Sequence, residues 1–299
     1  MSAAAEWQEL HLTARKDQVE PLEDWLFARG ALSVTLEDEA DQPLLEPRPG
    51  ETPLWDAVRL TALFAAAEDL TPLLGEIPYE LCTQAPTVAV PLADREWTRV
   101  WEDQFHPLQM GERLWICPSW THPPNPDKIN ISLDPGLAFG TGTHPTTSMC
   151  LRALDADLQP GTRVVDYGCG SGILGIAAAC LGATAVLAVD NDPQAIISSR
   201  NNASRNHLTK NAFTVVRPED NLITSWMGSA DWVVANILAG PLIGLAPKLT
   251  TLMAPGGRLL LAGLLANQAE EIITAYAPIL KLVVANRQEE WVLLAGNKH

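Results

Sequence analysis

The sequence predicts an α/β fold: a mostly parallel sheet covered by helices on both faces and ending in an antiparallel strand, preceded by a small α+β unit. Three observations carry this. From Gly161 onward, short apolar runs alternate with stretches of helical spacing, as a parallel sheet requires. The last two such runs, residues 281–286 and 290–294, are separated by so little chain that only a hairpin can join them. Residues 1–93 hold a shorter alternation of their own, and 299 residues suffice for two cores.

In the first unit, residues 7–13 alternate like a strand. Residues 17–29 carry Val19, Leu22, Trp25 and Leu26 at helical spacing until Gly30 stops them, and residues 31–37 alternate again. A second round follows: a strand at 57–65, a short helix at 71–75 and a closing strand at 79–83. The order β-α-β-β-α-β suggests a ferredoxin-like fold. Between the rounds, residues 41–53 are rich in Pro and acid and read as a surface loop. Residues 94–105 place Trp97, Val100, Trp101 and Phe105 on one helical face, giving either a connecting helix or a helix of the second core. Residues 121–127 read as an exposed, proline-rich turn. The expected division is 1–93, a linker at 94–127, and a second domain at 128–299.

Composition narrows the class. No apolar run is long enough to span a bilayer and residues 1–9 are polar and acidic, so a cytoplasmic location without membrane association is expected. The cysteines Cys82, Cys117, Cys150, Cys169 and Cys180 are scattered and unpaired by motif, which argues against a disulfide framework and against a zinc or other metal site. Net charge is −16, and residues 1–93 hold most of it, with 5 Lys and Arg against 17 Asp and Glu. Such a field repels nucleic acid and attracts a basic protein, although an acidic surface also serves solubility alone.

Within the second domain, strands are expected at 163–166, 185–190, 213–216, 231–235 and 258–262, with helices at 173–181, 193–206, 242–252 and 266–277. After the first strand comes the run Val164-Val165-Asp166-Tyr167-Gly168-Cys169-Gly170-Ser171-Gly172. Alternate glycines there permit a tight turn against a flat ligand before a helix starts. The same stretch spells the dinucleotide fingerprint GxGxxG, with Asp190 at a suitable distance. Two features oppose NAD. Asp166 would face an incoming pyrophosphate, and NAD-binding sheets generally lack the final hairpin. A carboxylate suits the cationic S-adenosylmethionine better. The pattern Asp-x-Gly-x-Gly-x-Gly resembles the first motif of class I methyltransferases, whose Rossmann-like sheet ends in an antiparallel strand. Asp190 would then accept the ribose hydroxyls.

Two further loops narrow the family. Residues 133–148, LDPGLAFGTGTHPTTS, give a glycine loop around Phe139 able to fold over a ligand, with Thr146, Thr147 and Ser148 placed to cap the next helix. Residues 236–241, NILAGP, follow a strand at the carboxyl edge of the sheet, where ligands bind. With the turn DYGCGSG, these loops make the chain resemble the PrmA family, methyltransferases of large-subunit ribosomal protein eleven. The resemblance runs the whole length, including GERLWICPSW at 111–120. It implies a substrate-recognition domain at 1–93 for the basic ribosomal protein, and a catalytic domain that methylates lysine side chains and the N-terminal amine. It places cofactor contacts at Thr147, Gly168, Asp190 and Asn236. Gly170, Gly172, Asp166 and Phe139 join them from the turn and loop chemistry.

Asn236 is the candidate to orient the amine through its amide oxygen, unless it serves only the turn. His144 is a candidate general base or a residue that holds the loop. Phe139 would cover the cofactor or attract a methylammonium, or simply pack. Adenine or glutamine methylation is the alternative, but Asn236 is followed by Ile237 and Leu238 rather than by a planar clamp. A non-catalytic partner of a basic protein is the other. A monomer is expected.

Overall fold

The computed structural model describes residues 7–40, 54–84, 87–88, 106–134 and 142–298. Its contacts divide the chain into two compact units, Met1–Val100 and Trp101–His299.

The first unit has β1 (Trp7–Arg15), α1 (Lys16–Phe27), β2 (Ser33–Asp38), β3 (Ala57–Ala65), α2 (Thr71–Glu76) and β4 (Thr87–Val88). The strands form an antiparallel sheet in the order β2-β3-β1-β4. Alternation in β1 and β3 sets the register: Leu10 pairs with Ala62, Leu12 with Leu60 and Ala14 with Val58, all six buried. On this face α1 lays Val19, Leu22 and Leu26. Gly30, at φ +94°, ends the helix in a conformation that side chains resist.

The expected closing strand at 79–83 is corrected. Tyr79–Leu81 is a single 3₁₀ turn, closed by Leu81 N–H to Pro78 O at 2.8 Å, and Tyr79 lies exposed. Its local hydrogen bonds compete with a ladder. The chain rejoins β1 when Thr83 N–H donates to Thr13 O, and the last strand forms at Thr87–Val88. The stretch 94–105 lies outside the described residues.

The second unit opens with β5 (Leu108–Gln109), β6 (Leu114–Cys117) and β7 (Ile129–Ser132), a three-stranded sheet. Residues 106–127, expected within a linker, include strands: Met110, Leu114 and Ile116 are buried in the same core as the next helix. The buried Asp155 carboxylate fixes the β5–β6 turn by accepting the Glu112 N–H at 2.7 Å.

The larger sheet is built from β8 (Arg163–Tyr167), β9 (Ala185–Val189), β10 (Phe213–Val216), β11 (Ala230–Asn236), β12 (Met253–Leu265), β13 (Val283–Gln288) and β14 (Trp291–Asn297). Their order is β10-β9-β8-β11-β12-β14-β13. The first five are mutually parallel, and β14 runs against β12 with β13 outside it. Helices α3 (Pro145–Asp157), α4 (Ile173–Cys180) and α5 (Pro193–Arg205) belong to one face, and α6 (Ala239–Gly244), α7 (Ala246–Leu252) and α8 (Ala269–Tyr276) to the other. Both faces are covered, which is why the central strands read as continuous apolar runs. Val164, Ala188, Val234 and Leu260 face one core; Val165, Leu187, Val233 and Leu261 face the other. Among the described residues no helix is long and apolar enough to cross a membrane.

Candidate active site

A cavity of about 610 Å³ lies at the carboxyl ends of β8, β9 and β11, the edge where such sheets bind ligands. Its floor is the glycine turn. Gly168, Gly170 and Gly172 have φ of +77°, +53° and +82°, so the turn closes only with glycine at these positions. Helix α5 braces it from below: Ser199 Oγ donates to Gly170 O at 2.8 Å and Asn202 Nδ2 donates to Ser171 O at 2.9 Å. A side chain at Gly168 would collide with Ile237, so the turn and the β11–α6 loop pack backbone to side chain.

Asp190 stands at the end of β9 with each oxygen engaged. Oδ2 accepts the Gly170 N–H at 2.8 Å and Oδ1 accepts the Asp192 N–H at 3.0 Å. Each oxygen keeps lone-pair capacity toward the cavity, which suits a pair of hydroxyl donors.

The opposite wall comes from the start of α3. The sequence pointed to Thr146, Thr147 and Ser148 as caps; the N-cap is instead His144, whose ring accepts the Thr146 N–H at 3.3 Å. Ser148 Oγ donates to Pro145 O at 3.0 Å and approaches Gln288 Oε1 at 3.1 Å, tying the helix start to β13. Burial lowers the His144 pKa, opposed by Glu289 and Glu290, and so favours the neutral ring. That ring meets Trp291 edge-on at 4.8 Å between centroids. Thr147 Oγ1 receives a hydrogen bond from Asn236 Nδ2 at 3.1 Å. Asn236 Oδ1 is buried, yet it has no hydrogen-bond partner among the described residues.

The structure thus brings His144, Thr147, Gly168, Gly170, Asp190 and Asn236 to one cavity. Two expected members are placed elsewhere. Gly172 starts α4 and packs against Ser199 and Phe213, so its role is to let that helix approach. Asp166 shares the face of Val164 beneath α4, where Oδ2 accepts the Gly175 N–H at 2.8 Å and Oδ1 has no partner among the described residues. Burial pushes its pKa up to about 7. It supports the turn from inside and is not among the residues that line the cavity. Phe139 lies outside the described residues. Cys169 is buried, and burial pushes its thiol up, as suits a packing residue.

Among the wall residues, Gly263 and Trp291 escaped the sequence reading, while Ile237 and Leu238 belong to the loop it placed at the carboxyl edge of the sheet. Gly263, at φ +82°, sits where the β12–β14 register shifts between Leu261 and Leu264, and only that bulge brings it to the site. A glycine inside a strand pattern was the available signal. Trp291 reaches the cavity because β14 inserts beside β12, a matter of strand order that local pattern does not encode.

The family model described as Ribosomal protein L11 methyltransferase (PrmA) matches residues 6–299. The ribosomal protein L11 methyltransferase of Marinobacter nauticus is 48% identical over 297 residues, covering 98% of both chains. That of Pseudomonas aeruginosa strain LESB58 is 48% identical over 293 residues, again 98% of both. The crystal structure of ribosomal protein L11 methylase from Lactobacillus delbrueckii subsp. bulgaricus matches with a TM-score of 0.57 at 33% identity, covering 65% of this chain and 100% of that one. On the strength of a family match spanning nearly every residue, the chain belongs to the ribosomal protein L11 methyltransferase family.

Proposed function

We infer that this protein methylates ribosomal protein L11, taking methyl groups from S-adenosylmethionine and placing them on lysine side chains and the N-terminal amine. The observation that carries the chemistry is the lone acceptor Asn236 Oδ1, held by Thr147 at the wall of a cavity whose floor is a glycine turn. The residues fit the donor. Asp190 would take the ribose hydroxyls, Gly168 and Gly170 line the floor beneath the donor, and Thr147 closes the wall at the start of α3.

S-adenosylmethionine supplies an activated methyl group on a cationic sulfur. The chain's own work is positional. Asn236 Oδ1 accepts one N–H of the unmethylated or monomethylated amine and so aims the nitrogen lone pair, while a single acceptor leaves the amine free to turn between those rounds. A lysine has a reference pKa of ~10.4 and must arrive uncharged to react; apolar walls from Ile237, Leu238 and Trp291 favour that form by desolvation. His144 holds the loop, since the ring nitrogen that accepts the Thr146 N–H is engaged as an acceptor. The acidic residues 1–93 would gather the basic substrate.

The test is mass spectrometry of purified L11 after incubation with the protein and S-adenosylmethionine. Expected are mass gains in multiples of a methyl group on lysines and the N-terminal amine, falling roughly 10- to 100-fold in rate for Asn236→Ala. Unmodified L11 under these conditions would refute the reading.

A further inference from the structure

Between the glycine turn and the β12 bulge, one residue occupies the space that two glycines leave. A Cβ at Gly168 would collide with Ile237 Cγ2. A Cβ at Gly263 would lie 2.5 Å from Ile237 O, 2.8 Å from its carbonyl carbon and 2.9 Å from its nitrogen. Ile237 is therefore gripped from both sides, its side chain by the turn and its backbone by the β12 bulge. Its own N–H donates to Ala262 O at 3.1 Å, in line with the pairing of Asn236 and Ala262. Leu238, the next residue, is exposed at the cavity wall.

We propose that Ile237 is a positioning residue: it transmits the location of the cofactor turn to Asn236 and so sets where the amine is held. Among the described residues Asn236 has a single side-chain tether, the bond to Thr147, so its aim depends on the backbone that follows it. That backbone moves only if Ile237 slides between Gly168 and Gly263. The β-branch matters here, because Cγ2 is the atom that meets the turn. Valine keeps a methyl in that place, whereas leucine moves its branch one atom outward and alanine has none. The grip also joins the two halves of the reaction, since a turn drawn into place by a bound donor presses on the residue beside the acceptor.

The inference rests on the methyltransferase reading, and the experiment separates the two. L11 and S-adenosylmethionine are used with wild type, Ile237→Val, Ile237→Leu and Ile237→Ala. The readouts are kcat, KM for L11, donor affinity by calorimetry, melting temperature and the ratio of mono-, di- and trimethylated product. Positioning predicts that Leu and Ala lower kcat roughly 10- to 100-fold with KM for L11 within about twofold, and shift product toward partial methylation. Val restores kcat and the wild-type product ratio. If Leu and Ala turn over as wild type does, or if kcat in all three variants merely follows melting temperature with an unchanged product ratio, Ile237 only fills space and the proposal falls. Wild type that leaves L11 unmodified would instead overturn the function.

Discussion

Asn236 is placed by strand register, tethered by one hydroxyl and left with a free acceptor, and each of those conditions has a separate origin. The strand supplies the position, α3 supplies Thr147, and no described residue gives Oδ1 a donor. Asp190 is the opposite case, a carboxylate already satisfied by two backbone N–H groups before any ligand arrives. Asp190→Ala should therefore loosen the turn as well as remove the hydroxyl acceptors. Calorimetric titration should show S-adenosylmethionine affinity falling about 10- to 100-fold, equivalent to ~1.5–3 kcal/mol. NAD should give no heat with either protein. Asp166 gives a prediction in pH. Its pKa is raised to about 7 in the fold from 3.8, so between those values the unfolded chain has released a proton that the folded chain keeps. Stability contributed by this group must then fall as pH rises through that window and level off above it, with a limiting slope of about 1.4 kcal/mol per unit. Denaturant melts of wild type and Asp166→Asn at several pH values check this. Their difference should shrink or reverse toward pH 7, and parallel curves would show that Asp166 is ionised throughout.

At the level of elements, the strand and helix pattern was legible wherever burial was two-sided or cleanly alternating. β1, β3, β8, β9, β11 and α1 follow directly from their apolar spacing. The hairpin of β13 and β14 was legible from its short connection, but its insertion order was not. Tyr79–Leu81 misled because three residues satisfying a tight turn look like the start of an alternating strand. The turn glycines were recognised as a set, yet the structure splits them, with Gly168 and Gly170 at the cavity and Gly172 in helix packing. Sequence marks where glycine is needed without saying which neighbour demands it. Gly263 shows the demand plainly. With φ at +82° and Ile237 backbone 2.5 Å from a would-be Cβ, Gly263→Ala should destabilise by more than about 1 kcal/mol and lower turnover further than its stability loss explains. Melting curves beside initial rates measured well below the transition separate the two effects.

For the whole molecule, charge is divided unevenly: the first 93 residues carry −12 of a total of −16. If this field steers a basic substrate, raising salt to physiological strength should slow capture of L11, because exposed charges are screened beyond ~8 Å. A short neutral lysine peptide should respond little. Neutralising Glu37, Asp38 and Glu39 to amides should reproduce the effect of salt on kcat/KM while donor affinity stays unchanged. A flat salt series in both proteins would assign the acidity to solubility. The cavity draws its walls from His144 through Trp291, crossing six strands and six helices in sequence before it is complete. A chain ending before Trp291 lacks one of its walls. During synthesis, then, the donor has no finished site until β14 has taken its place beside β12. Afterwards it protects the finished product by mass action, about 2.7 kcal/mol at a hundredfold excess over Kd. Cellular donor supply would thereby govern how long each completed molecule survives proteases, as well as how fast it works.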